Sequence, residues 1–128
     1  MRSEESSYYL DWLRIAERDL GRVGRCLRDE DPEAAGFFLQ QALEKFLKGF
    51  LLSKGWQLRR VHDLEALLDD ARDYDNELES FRPLCRRVTD YYVVERYPLL
   101  GVTGPTEEGV RGSLEAVRPL IERIRSSL

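Results

Sequence analysis

Hydrophobic residues recur three and four positions apart over most of the chain, the spacing that places side chains on one face of an α-helix. The first such run predicts a helix over about residues 9–27, and the last, which follows Thr106 as a candidate N-cap, predicts a helix to the C-terminus. The first run contains Leu13, Ala16, Leu20, Val23 and Leu27. The last contains Val110, Leu114, Val117, Ile121, Ile124 and Leu128. No segment has the two-residue alternation of a half-buried strand, so the sequence predicts an all-α protein.

The second helix is the most hydrophobic part of the chain. Asp31 followed by Pro32 is typical of a helix start, and Gly55 stands where a helix end favours a left-handed residue. These signals predict a helix over about residues 32–54. Its apolar residues cover more than one face, which is typical of a central helix packed on two sides. They are Phe38, Leu39, Ala42, Leu43, Phe46, Leu47, Phe50 and Leu51.

Two further helices complete the predicted fold. A short one begins near His62 or Asp63, and a longer one runs from about residue 77 to 92, with Pro83 tolerated if it lies in the first turns. Residues 93–105 contain two prolines and two glycines, so we expect a loop there. Four longer helices with short connections predict a single domain over residues 1–128, an up-and-down four-helix bundle with an additional short helix.

Charge and hydropathy restrict the classes of function. Twenty basic residues against twenty-four acidic ones give a net charge of −4, so nucleic-acid binding through overall positive charge is excluded and any anion site must be local. No apolar stretch is long enough to cross a membrane, and the N-terminal residues carry acidic side chains rather than a signal-peptide pattern. We therefore expect a cytoplasmic protein with no membrane association.

Most catalytic and metal-binding chemistries lack their sequence signatures. Cys26 and Cys85 have no paired cysteine, and His62 is the single histidine, so neither a zinc site nor a nucleophile triad is expected. Walker and dinucleotide-binding fingerprints are also missing. Asp69, Asp70 and Asp73 spell a DDxxD pattern without a second acidic cluster, which favours an exposed acidic helix end. We expect no metal, no cofactor and no catalytic residue.

The first helix carries a row of arginines. Arg14, Arg18, Arg22 and Arg25 fall within an arc of about 80° at roughly 100° per residue, opposite the leucine stripe. We call these four residues the arginine ridge. Such a ridge could follow a phosphate backbone. Because acidic residues share or border this arc, a partly neutralised solvent-facing surface is the alternative; these residues are Asp11, Glu17 and Asp29.

One group of polar residues predicts an anion-binding pocket. We expect the second and fourth helices to run parallel, so that their ends meet at one pole with the start of the short helix. The helix start would add backbone donors and a positive dipole end, which favour an anion. The predicted pocket suits a phosphate or nucleotide and consists of Lys45, Lys48, His62, Arg96 and Tyr97. The alternative is that His62 is only a helix-start residue and Arg96 only tethers the loop.

Three segments in this order resemble the HEPN domain, a nucleotide-binding domain of higher eukaryotes and prokaryotes. They are the run QQALEKFLKGFLLSKG at 40–55, HDL at 62–64 and RYP at 96–98. The resemblance spans nearly the whole chain. It implies an up-and-down helical bundle, frequently dimeric and often encoded beside a minimal nucleotidyltransferase as a toxin–antitoxin pair.

The resemblance also bears on catalysis. Many catalytic HEPN members are metal-independent ribonucleases with an Arg-x(4–6)-His motif, which is absent here because His62 follows Arg59 and Arg60 by only three and two positions. The resemblance therefore favours binding of a nucleotide or RNA and of a nucleotidyltransferase partner over catalysis. A metal-independent ribonuclease and a non-catalytic dimerisation scaffold are the alternatives. In some such systems the partner adenylylates a tyrosine, and three are available: Tyr91, Tyr92 and Tyr97.

The aromatic residues predict an association of two copies. Tyr8, Trp12 and Trp56 exceed what a small bundle readily buries, so we expect a homodimer. The alternative is that these rings complete the core of the monomer.

Overall fold

The computed structural model of the chain describes residues 6–91 and 104–128 in full and residues 92–96 by their backbone. Within these ranges the chain forms five α-helices and one 3₁₀ helix, and no strand. The elements are α1 (Tyr9–Arg28), α2 (Pro32–Ser53), α3 (Leu64–Ala71), the 3₁₀ helix (Asn76–Phe81), α4 (Arg82–Arg96) and α5 (Glu107–Ser126). None of the described helices is both long and apolar enough to span a bilayer. The predicted all-α bundle is confirmed.

The first two helices form an antiparallel hairpin. The side chain of Asp31 caps α2 by accepting a hydrogen bond from the backbone N–H of Ala34 at 3.2 Å, with Pro32 at the first helical position as predicted. Leu13, near the start of α1, packs against Gly49, near the end of α2. At the other end, the guanidinium of Arg22 lies 5.3 Å from the centre of the Phe38 ring. The two helices therefore run in opposite directions along their whole length.

Helix α2 is the centre of the domain, as its pattern predicts. Its apolar residues face α1 on one side and the remaining helices on the other, and most are fully buried. The fully buried ones are Ala35, Leu39, Ala42, Phe46, Leu47 and Leu51, with Leu43 and Phe50 at 1% exposure.

Helix α4 begins later and ends later than the sequence predicts. The turn from Asn76 to Phe81 is a 3₁₀ helix, and the α-helix starts at Arg82. Proline at position 83 lies in the first turn of α4, where its missing N–H breaks no intrahelical bond. The predicted start near residue 77 is therefore wrong by about five residues. The expected loop from residue 93 is also wrong over its first part, because α4 continues to Arg96.

Helix α4 is antiparallel to α2, which corrects the expectation that the two run parallel. A β-carbon on Gly36, in the second turn of α2, would lie 3.1 Å from Cγ of Tyr91, close to the end of α4. Helix α5 then returns alongside α2. Lys54, just past the end of α2, donates through Nζ to the carbonyl of Ser127 at 2.7 Å. The four long helices alternate up, down, up and down, so consecutive long helices are antiparallel.

Two of the three aromatic residues that predict a dimer are used inside the monomer. Trp12 is 3% exposed, and its indole donates to the backbone carbonyl of Ser6 at 2.6 Å. Trp56 is half-buried and donates to Asp70 at 3.0 Å. Tyr8 alone of the three is largely exposed, at 54%. The alternative that these rings complete the core is thus correct for Trp12.

Candidate functional site

A row of polar side chains crosses the otherwise apolar core on α2. Gln40, Glu44 and Lys48 are spaced four residues apart, so they lie on one face of the helix. Their exposed fractions are 0%, 4% and 3%. Because burying a polar or charged group is costly unless it is paired, each of these groups requires a partner. All of them have one within the protein.

Glu44 is the centre of this row. Its Oε2 accepts from Lys48 Nζ at 2.9 Å and lies 3.1 Å from Nδ1 of His62, while its Oε1 accepts from Gln40 Nε2 at 3.2 Å. One buried carboxylate therefore binds two basic side chains and one amide. A buried carboxylate held by several donors is fixed in position and does not need water.

Lys48 is enclosed on its other side by an aromatic ring. Its Nζ lies 5.2 Å from the centre of the Trp12 ring, within the range of a cation–π interaction. The ammonium group of Lys48 is thus occupied by Glu44 and Trp12. Its position favours a supporting role, in which the positive charge holds the carboxylate of Glu44 in place next to His62.

Lys45 belongs to a second branch of the same network. Its Nζ donates to Asp19 Oδ2 of α1 at 2.8 Å and to Gln41 Oε1 at 3.1 Å. Gln41 in turn donates to Gln40 Oε1 at 2.7 Å. A continuous chain of hydrogen bonds therefore joins Asp19 on α1 to His62 beyond α2.

His62 is positioned from two sides. Its backbone carbonyl accepts from Gln40 Nε2 at 3.3 Å, and its ring nitrogen Nδ1 contacts Glu44. The next residue, Asp63, caps α3 by accepting from the N–H of Glu65 at 3.0 Å. The side chain of His62 is nevertheless 64% exposed. The network therefore holds the inner edge of the imidazole ring while much of the ring remains at the surface.

The structure brings Lys45, Lys48 and His62 together but separates Arg96 from Lys48. Tyr91 lies beside Gly36, and α4 continues past it for five residues in the direction away from Lys48. Lys48 is twelve residues from Gly36 along α2, and Arg96 is five residues beyond Tyr91 along α4. At 1.5 Å per residue, Arg96 therefore lies about 25 Å from Lys48 along the bundle. The predicted meeting of the two helix ends at one pole is therefore wrong, because α2 and α4 are antiparallel. Tyr97 lies outside the described residues.

Sequence reasoning missed the partners that organise this site. Glu44 and Gln40 accept or donate most of its hydrogen bonds, and Asp19 and Trp12 contribute from α1. The four-residue spacing of Gln40, Glu44 and Lys48 within a helix buried on two sides was the available signal. A polar row on such a helix predicts an internal network, because solvent cannot reach it.

The side chains of the other candidate sites have structural roles. Asp69 accepts from Arg82 at 2.6 Å, and Asp70 is bound by Arg59 and Trp56. In the part of the chain that the structure describes, no group of three metal-ligating side chains is close enough together to hold an ion. Burial raises the pKa of the Cys85 thiol to about 12, so this cysteine is inert as a nucleophile at neutral pH.

The fold and the sequence together define the class of protein. The family model of the HEPN domain matches residues 9–127, so this chain belongs to the HEPN family. Two solved structures share its fold. TT1696 from Thermus thermophilus is 27% identical with a TM-score of 0.83, covering 94% of this chain and 98% of its own. ST0689, described as an archaeal HEPN homologue, is 24% identical with a TM-score of 0.75, covering 94% and 97%. No curated protein gives a significant match.

Proposed function

We propose that this HEPN domain binds the phosphate of a nucleotide or of RNA through His62. The observation that carries the proposal is the contact between Nδ1 of His62 and the buried carboxylate of Glu44, at 3.1 Å. When Nδ1–H donates to Glu44, the protonated ring can donate from Nε2 to an anion. A histidine fixed in this way loses less freedom when it binds a phosphate than a mobile one does.

Lys45 and Lys48 support this site rather than contact the phosphate. Their ammonium groups are already bound to Asp19 and to Glu44, respectively, inside the protein. Retaining the buried ion pair of Lys48 and Glu44 and the partly buried pair of Lys45 and Asp19 costs desolvation energy that apolar residues would not require. That cost is consistent with a positioning role for the network. Lys48 lies about 25 Å along the bundle from Arg96, so a molecule that contacts both residues has to extend along the bundle toward the end of α4.

The single histidine provides a direct test. We would label the chain at histidine and follow the imidazole signals by NMR while adding ATP, inorganic phosphate or a mixed-sequence RNA oligonucleotide. Binding at His62 predicts that its signals shift with saturation, and that Glu44→Gln weakens binding because a neutral amide holds a protonated ring less strongly than a carboxylate does. Lys54→Gln, which removes a cation at the far end of α2, is the control and should bind like the parent. Imidazole signals unchanged by all three probes would overturn the proposal.

A second candidate function is metal-independent cleavage of RNA. The observation that favours it is the same carboxylate–imidazole contact, because a carboxylate that orients a histidine is a common arrangement for a general base. The test is cleavage of RNA in excess chelator, with a 2′,3′-cyclic phosphate as the expected product. His62→Ala should abolish such cleavage. Equal rates for the variant and the parent would exclude His62 as the base.

We also propose that the chain forms a homodimer and pairs with a minimal nucleotidyltransferase encoded beside it, as a toxin–antitoxin system in the cytoplasm. Membership of the HEPN family supports this pairing. Of the candidate tyrosines for adenylylation, Tyr91 is poorly suited, because it is 8% exposed and its hydroxyl lies 2.9 Å from Ser113 Oγ. Co-expression with the product of the adjacent gene tests the homodimer, the pairing and the adenylylation. Light scattering measures the size of the chain alone and with that product, and intact-mass measurement detects an added adenylyl group. A monomer that neither binds that product nor gains an adenylyl group would overturn them.

A further inference from the structure

The arginine ridge of α1 carries more positive charge than its acidic neighbours compensate. Arg14 donates to Asp11 at 3.0 Å, and its side chain remains 72% exposed. Arg22 donates to Asp19 at 2.8 Å, but Asp19 is already bound to Lys45. The single buried carboxylate of Asp19 therefore pairs with two cations, Arg22 and Lys45.

The two remaining members of the ridge have no acidic partner among the described residues. No described carboxylate forms an ion pair with Arg18 or Arg25, and both residues are exposed. Glu17, which borders the ridge in sequence, is directed elsewhere: it accepts from Arg125 of α5 at 2.6 and 2.9 Å. Asp29, the third acidic residue of this arc, is exposed four residues after Arg25 and forms no ion pair with it. The neutralised surface, which is the alternative interpretation of the sequence, is therefore realised for Arg14 but not for Arg18 and Arg25.

The geometry of the ridge suits a repeating polyanion. Arg18 and Arg25 are seven residues apart, so they lie on one face and are separated by about 10.5 Å along the helix. That distance corresponds to roughly three base steps of 3.4 Å. Gly21 lies between them and is exposed, and a β-carbon there would have only Arg25 within 4 Å. The guanidinium of Arg25 thus lies over Gly21, with Nη1 3.9 Å from the position that a β-carbon would take, so a phosphate bound there would meet Arg25 close to the helix surface.

The ridge lacks the features of a protein-binding surface. Protein interfaces concentrate their binding energy in buried aromatic or aliphatic anchors. Among the described residues the exposed large hydrophobic side chains are Tyr8, Leu10, Tyr74 and Leu128, and none lies between Arg14 and Arg25. The guanidinium fork, by contrast, matches phosphate oxygens.

We propose that the arginine ridge of α1 binds the sugar–phosphate backbone of a nucleic-acid strand, with Arg18 and Arg25 as its principal contacts. This site is separate from His62 and goes beyond the proposed function, because it needs neither the Glu44 network nor a nucleotide base. Binding is electrostatic and independent of sequence, and it depends on the local cluster rather than on the net charge of −4.

The test compares two charge reversals of equal size. The double variant Arg18→Glu/Arg25→Glu removes the ridge contacts. The control, Arg111→Glu/Arg118→Glu, changes the charge equally at exposed α5 positions with the same seven-residue spacing. Binding of labelled single-stranded RNA and DNA of about 20 nucleotides is followed by fluorescence anisotropy over a range of salt concentrations.

The proposal predicts that the ridge variant binds at least tenfold more weakly than the parent, while the control stays within about twofold. The slope of log affinity against log salt should also flatten by about 1.4, since each phosphate contact on a single strand contributes about 0.7. Equal affinities of the two double variants, or no binding by the parent, would overturn the proposal. His62→Ala in the same titration separates the two sites, because loss of binding in that variant alone would assign the strand to His62 and not to the ridge.

Discussion

Gly49 of α2 lies against Leu13 of α1 so closely that no larger residue fits without a shift. A β-carbon on Gly49 would be 2.7 Å from Cδ2 and 2.9 Å from Cγ of Leu13, and 3.4 Å from the backbone oxygen of Tyr9. The helix pair that carries the polar network is therefore packed through a glycine. We predict that Gly49→Ala lowers the free energy of unfolding by about 1–3 kcal/mol in urea titrations, because overpacking outweighs the better helix propensity of alanine.

Gly112 provides the matched control for this prediction. It also lies inside a helix, but a β-carbon there would have nothing within 4 Å. Gly112→Ala should therefore raise the free energy of unfolding by up to about 1 kcal/mol. If both alanine variants were stabilised equally, the close approach at Gly49 would be contradicted.

The buried pair of Glu44 and Lys48 predicts a non-additive effect of substitution. Glu44→Gln leaves the Lys48 ammonium buried without its carboxylate, and Lys48→Met removes one donor from the carboxylate. We expect each single variant to lose about 3 kcal/mol of stability and the double variant to lose clearly less than the sum. Chemical denaturation of the four proteins measures this coupling. Additive losses would show that the two charges do not stabilise each other.

The helices are predictable from the sequence because each has local signals. Asp31 and Thr106 cap α2 and α5 as expected, with Thr106 Oγ accepting from the N–H of Gly109 at 3.0 Å. The start of α4 is less predictable, since the apolar spacing before Pro83 fits a 3₁₀ helix as well as an α-helix. That choice depends on packing rather than on local propensity.

The candidate site is predictable only in part. Lys45, Lys48 and His62 can be identified because basic residues on a helix and near a helix start are visible in the sequence. The relation of Arg96 to them depends on the direction of α4 relative to α2, and no local signal fixes that direction. The burial of Glu44 follows from its spacing with Gln40 and Lys48 on a helix that the sequence predicts to be packed on two sides. Its contact with His62 does not, because it depends on where the chain returns after α2, and no local signal fixes that path.

The two cysteines should differ in reactivity. Burial raises the pKa of Cys85 to about 12, and the thiol is fully buried. Burial also raises the pKa of Cys26, with Asp31 and Asp29 adding to the effect, but this residue is only half-buried. At pH 8 a thiol reagent should therefore modify Cys26 slowly and Cys85 only when the protein unfolds. The variant Cys26→Ser should be unreactive in its native state, and rapid labelling of that variant would contradict the burial of Cys85.

The surface carboxylates next to arginines predict a loss of stability in acid. Hydrogen bonds from Arg82, at 2.6 Å, and from Arg72, at 2.9 Å, lower the pKa of Glu79 from 4.5 to about 2. A carboxyl group whose pKa is lower in the folded state stabilises the fold above its unfolded pKa, and this contribution is lost as the pH falls through the folded value. The urea midpoint should therefore decrease between about pH 4.5 and pH 2. Glu79→Gln should flatten this decrease. If Glu79→Gln kept the pH dependence of the parent, the arginine contacts of Glu79 would not stabilise the folded state in solution.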